Sequence, residues 1–77
     1  MSRIIFPVGK QNDWIETVLK RKKTSISQIA KLCKVSERTV RDWRREKNTI
    51  SKDAVLKMCR YFNIAKPHKI EEVPDYW

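Results

Sequence analysis

Residues that break helices are confined to the two ends of this chain, and that constrains the fold more than any other feature. Gly9 is the only glycine, and the prolines are Pro7, Pro67 and Pro74. From about Asn12 to Asn63 nothing interrupts a helix, which suits a set of helices packed together. The flanks that hold the breakers read as extended. These shifts divide the 77 residues into an extended N-terminal arm (1–11), a helical domain (12–64) and an extended tail (65–77). A chain of this length forms one small domain, too small for a doubly wound sheet, a barrel or a large catalytic cleft. The expected class is all-α, a compact bundle of four to five helices. Its ends, through Ile4-Ile5-Phe6 and Lys69-Ile70-Glu71, have the pattern to pair as a short ribbon.

Apolar spacing and capping residues locate the helices. In the segment from Asn12 to Lys22, Trp14, Ile15, Val18 and Leu19 fall at helical intervals, with Asn12 placed to cap the start. Asp13 and Glu16 lie in its first turns and Lys20 to Lys23 at its end, the order that complements the helix dipole. A second helix opens at Ser25 and Gln28, which fit a capping box, and carries Ile26, Ile29, Ala30 and Cys33 on one stripe. A third follows after about three residues, capped by Ser36, with Glu37 at its start and Val40 and Trp43 facing inward. A fourth begins at Ser51, carries Val55, Leu56, Cys59 and Phe62, and ends at Asn63, a residue suited to the left-handed closing conformation.

The charge is concentrated on the middle of this arrangement. The chain has 18 Lys and Arg against 9 Asp and Glu, a net +9. Eleven of the basic residues lie between Lys20 and Lys47 with three acids, Glu37, Asp42 and Glu46, so this stretch carries +8 of the total. Charge so localised is the footprint of a polyanion-binding surface. The third helix focuses it. At about 100° per residue from Glu37, Val40 and Trp43 stand near about 300° and 240°, while Arg41, Arg45 and Arg38 stand near about 40°, 80° and 100°. Arginines on the outer face of an exposed helix suit a DNA major groove, where each can donate twice to a guanine or to a phosphate. Glu37–Arg41 and Arg38–Asp42 are also i,i+4 pairs of the kind that decorate ordinary solvent-facing helices.

Other classes are disfavoured. The longest uncharged run, Ile4 to Gly9, is far short of a membrane span, and no secretory signal is visible. Cys33 and Cys59 form no C-x-x-C pair and His68 lies near neither, which argues against a zinc site and for two reduced, buried thiols. With one glycine there is no glycine-rich phosphate loop. No nucleophile–base arrangement appears, and Glu71 and Glu72 point apart on an extended tail. The expectation is a chain that is not an enzyme, has no cofactor, metal or small-molecule ligand, and does not bind membranes. Trp14 and Trp43 read as core residues.

Two short helices joined by about three residues have helix-turn-helix spacing. The run Ile29-Ala30-Lys31-Leu32-Cys33-Lys34-Val35-Ser36, with Thr39-Val40 and Trp43, resembles the phage Cro/C1-repressor (XRE-type) helix-turn-helix, and Ser51 to Ile64 resembles that family's following helix. The likeness covers about residues 12 to 64. It departs from the family pattern at four positions: Lys34 stands for a turn glycine, and Arg44, Glu46 and Ile50 stand for an acid, a glycine and a proline after the tryptophan. The resemblance implies that helix 37–45 enters the major groove, with Glu37, Arg38, Arg41, Asp42 and Arg45 at base edges. It implies phosphate contacts from Lys20, Arg21, Lys22, Lys23, Lys34, Arg44 and Lys47, and from the helix starts at Ser25 and Ser36.

A second resemblance concerns the ends. Phe6-Pro7-Val8-Gly9-Lys10-Gln11, Asp42-Trp43-Arg44-Arg45 and Pro74-Asp75-Tyr76-Trp77 resemble helix-turn-helix modules associated with LAGLIDADG homing endonucleases and small microbial regulators. The leading expectation is therefore a sequence-specific binder of double-stranded DNA, a cytoplasmic, nucleoid-associated transcriptional regulator able to pair as a homodimer. The alternatives are the DNA-targeting module of a homing-type nuclease, and an RNA-binding or protein-interaction domain using the same basic face.

Overall fold

The structure, a computed structural model, describes residues 2–74; Met1 and Asp75-Tyr76-Trp77, the last three belonging to the terminal motif noted above, lie outside the described residues. The chain forms β1 (Ser2–Ile5), α1 (Lys10–Arg21), α2 (Ile26–Cys33), α3 (Glu37–Arg44), β2 (Ile50–Ser51), α4 (Lys52–Phe62) and β3 (Glu71–Pro74). The four helices enclose a core built from Ile15 and Val18 of α1, Ile29, Ala30 and Cys33 of α2, Val40 and Trp43 of α3, and Ala54, Val55 and Met58 of α4.

The expected all-α class is corrected in one respect. The strands form an antiparallel sheet in the order β2-β1-β3. The ends do pair, but one step along from the expected runs: Ile4 faces Glu72 and Ile5 faces Glu71, while Phe6 leaves the strand to lie against Trp14 with ring centroids 5.8 Å apart. The unanticipated strand is β2, whose Ile50 sits opposite Ile4. Ile50 occupies the place of the family proline. It keeps a backbone donor that proline lacks, and its β-branched side chain is fully buried beside Ile4. A strand of two residues is too short to show a period-2 pattern, so only tertiary contact reveals it.

Two helix details also differ from expectation. α1 starts at Lys10, after Gly9 in the left-handed region (φ 82°), so Asn12 lies inside the helix and does not cap it. On α4 the buried stripe is Ala54, Val55 and Met58, with Leu56, Cys59 and Phe62 only half-buried. Ser25, Ser36 and Ser51 each accept from the backbone N–H three residues on, as their spacing predicts. The capping box at Ser25 is half made, because the Gln28 carboxamide oxygen accepts from the Thr24 hydroxyl at 2.7 Å.

All four helices close in the same way. Thr24, Val35, Lys47 and Ile64 donate back to Leu19, Ala30, Asp42 and Cys59, the six-residue bond of a Schellman closure. Each closure needs a left-handed residue, and these are Lys23, Lys34, Glu46 and Asn63, with φ of 49°, 57°, 60° and 54°. Asparagine tolerates that region better than lysine or glutamate. Both cysteines are free thiols, Cys33 buried and Cys59 half-buried, and burial pushes both pKa values up. Among the described residues no helix is long and apolar enough to cross a membrane.

Candidate nucleic-acid interface

α3 presents its arginines by anchoring its other side. Val40 and Trp43 are 0% and 2% exposed, which fixes the helix against the core. Glu37, Arg38, Arg41, Arg44 and Arg45 are exposed, and Asp42 is half-buried. Arg45 lies one residue past α3 but keeps a right-handed helical conformation, its N–H donating to the Arg41 carbonyl at 3.0 Å. Arg38, Arg41 and Arg45 thus share the face opposite Trp43, as the rotation predicts. Of the two opposite-charge pairs, Arg41–Glu37 closes at 3.2 Å and Arg38–Asp42 does not.

Arg44, expected at a phosphate, is exposed and ion-paired. Its guanidinium donates to the Glu16 carboxylate on α1. Arg44 and Glu16 belong to a polar clamp that joins the start of α1 to the end of α3. The Glu46 carboxylate accepts from the backbone N–H of Gly9 at 2.9 Å and of Asn12 at 3.0 Å, so it caps α1 from 34 or more residues away in sequence. The Asn12 side chain donates to the Arg44 carbonyl at 2.7 Å. Gln11, the one buried polar residue among those described, donates to the carbonyls of Trp43 at 2.8 Å and Asn48 at 2.6 Å. Arg3 extends the link from β1 to Thr49, donating to its hydroxyl at 2.8 Å and to its carbonyl.

Three of the four positions that depart from the resemblance meet the same part of the chain. Arg44, Glu46 and Ile50 each engage the N-terminal part of the chain: Glu16, the start of α1, and β1. Sequence reasoning missed Gln11, Asn12 and Glu46 as positioning residues. The available signal was the acid standing at Glu46 in place of a glycine. The two left-handed positions should consequently respond oppositely to glycine. Lys34→Gly relieves the closure of α2 and should stabilise the fold by up to about 1 kcal/mol. Glu46→Gly relieves a similar strain but removes two charge-assisted bonds to α1 and should destabilise by about 1 kcal/mol. Chemical denaturation of both variants checks the pair of signs.

The remaining cations are spread over several elements. Lys34 closes the turn between α2 and α3, and Lys47 follows α3, both exposed. The hydroxyls of Ser25 and Ser36 are engaged as caps, which leaves the first-turn N–H groups of α2 and α3 as the donors those helix starts present outward. Lys20 and Arg21 end α1, and Lys22 and Lys23 follow it, at the opposite end of that helix from the clamp. Of the eleven cations between Lys20 and Lys47, only Arg41 and Arg44 have an acidic partner among the described residues.

With this geometry in place, the comparison with protein families is decisive: a family model described as helix-turn-helix matches residues 15–67. The chain belongs to the Cro/C1-type helix-turn-helix family. Comparison with curated proteins and with solved structures gave no match. A helix-turn-helix domain of this family is a DNA-binding domain, and α2 and α3 are its two helices. The match takes in the clamp on its α3 side and all of α4, while β1 and the start of α1 precede it.

Proposed function

We propose that this helix-turn-helix domain reads duplex DNA in a sequence-specific way and acts as a transcriptional regulator, with α3 in the major groove. The observation that carries the reading is the split character of α3: Val40 and Trp43 locked in the core, Arg38, Arg41 and Arg45 outward, and two of those three without an acidic partner among the described residues. An arginine with no partner gives up only water when it donates to a base, so its hydrogen bonds are available to guanine O6 and N7. Glu37 is placed to accept from a cytosine amino group once Arg41 turns to the DNA, and Asp42 borders the same face. Lys34, Lys47 and the first-turn N–H groups of α2 and α3 would hold phosphates on either side. The clamp from Gln11 and Glu46 sets the angle at which α3 meets the groove.

Selection from a random duplex pool at near-physiological salt tests this reading. A palindromic enriched site with half-sites about one helical turn apart is the result expected of a dimeric regulator. A single asymmetric site would favour a monomeric targeting module. Affinity for the selected site should fall linearly on a log–log salt plot, by about 0.9 for each phosphate neutralised. Retention without an enriched motif would reduce the reading to charge alone, and no retention would reject it.

A further inference from the structure

A second basic surface lies at the end of α1 remote from the clamp. There the turn after α1, the outer side of α2 and the end of α4 enclose a groove of about 670 Å³. Lys22, Lys23 and Lys31 stand around it, Leu32 and Phe62 form an apolar floor, and among the described residues no acid lines it. Leu32 and Phe62 are half-buried and packed on the core, so the floor is held in place. Tyr61 is 71% exposed, one of two large apolar side chains left so open among the described residues. Its ring meets Phe62 edge-on with centroids 5.0 Å apart, which steadies it without covering it. None of the three lysines has an acidic partner among the described residues.

The groove borders the first turn of α2 through Thr24 and Gln28, and Lys31 carries it round to the outer side of that helix. Ile29, Ala30 and Cys33 point into the core, and Lys31 lies about 150° round the helix from the middle of that stripe. Lys31 is therefore turned away from the core that α2 shares with α3. A duplex entered by α3 presents phosphates only, with nothing to fill an apolar floor or cover a tyrosine ring. A single strand would need a longer track of charge and further aromatic platforms. We infer that the groove docks an acidic segment of another protein, with an aliphatic side chain seated on Leu32, Tyr61 and Phe62 and flanking carboxylates held by Lys22, Lys23 and Lys31. Complementary charge steers such a segment, and the exposed tyrosine supplies the contact area typical of an interface anchor. The inference does not depend on sequence-specific DNA reading.

The test uses the whole chain and a defined probe, an acetylated hexapeptide of glutamates with leucine at its third and sixth positions. Titration followed by amide NMR should give saturable shifts centred on Lys23, Lys31 and Tyr61. Replacing the peptide leucines by serine should weaken binding at least about tenfold, as should Lys31→Glu, and Tyr61→Ser should do the same. All these side chains are exposed, and circular dichroism of each variant checks that the fold is kept. A selected duplex added at saturation should leave the peptide bound. Absence of saturable shifts, shifts centred elsewhere, indifference to the leucines, or displacement of the peptide by duplex or by oligothymidine would each overturn the inference, the last two results assigning the lysines to nucleic acid.

Discussion

Gln11→Leu should lower the stability of the domain by about 2 kcal/mol and its melting temperature by about 10 °C. Gln11 is 4% exposed, and its carboxamide nitrogen donates both to the Trp43 and to the Asn48 carbonyl. Leucine fills similar space and removes both bonds. The Trp43 carbonyl still accepts from the Glu46 N–H at 3.1 Å, but the Asn48 carbonyl loses its donor while its surroundings stay partly closed to water. Leaving a covered carbonyl unpaired costs more than the bond contributed when made. Gln11→Glu keeps the shape more closely and should be at least as damaging, because a carboxylate placed against two carbonyls repels them. Thermal unfolding by circular dichroism separates the two explanations. If leucine is tolerated within about 0.5 kcal/mol and only glutamate destabilises, the bonds carry little and burial of charge is the whole effect.

The second large effect belongs to DNA reading. Arg38→Ala and Arg41→Ala should each weaken binding to the selected duplex by about 1–3 kcal/mol, with roughly tenfold lost for every 1.4 kcal/mol. Binding to a scrambled duplex should change much less, since a groove-facing arginine contributes to discrimination more than to general attraction. The two variants should also differ from one another. Arg38 has no acidic partner among the described residues, so its removal should delete only what it would give to the DNA. Arg41 is paired with Glu37 at 3.2 Å, and its removal also leaves a carboxylate facing the polyanion. The double variant Glu37→Gln with Arg41→Ala should therefore recover part of the affinity. Equal losses on selected and scrambled duplexes would make both arginines phosphate contacts.

Local and long-range interactions leave different marks in this sequence. The outward face of α3 was legible because helical rotation is local: once Val40 and Trp43 are inside, Arg38, Arg41 and Arg45 are outside. The capping serines were legible for the same reason, since each acts over three residues. Asn63 was legible as a left-handed closing residue because its side chain favours that conformation. Asn12 was misread as a cap because the same local rule applied, while the start of α1 is satisfied by Glu46 from beyond α3. The ion pair of Arg44 was not legible, because its partner, Glu16, lies on another helix.

The four helices, their order, the buried face of α3 and the basic character of the helix-turn-helix all follow from residue spacing within about one or two turns. The sheet, the clamp and the grouping of Lys22, Lys23 and Lys31 about Tyr61 arise only when the chain is folded. Each of these depends on which distant segments meet, and a two-residue strand or a single carboxylate leaves no periodic trace. The difference lies in the range of the interactions: backbone caps and helical faces are set by neighbours in the chain, whereas Ile50 against Ile4, or Glu46 against Gly9, is set by how the core brings distant segments together.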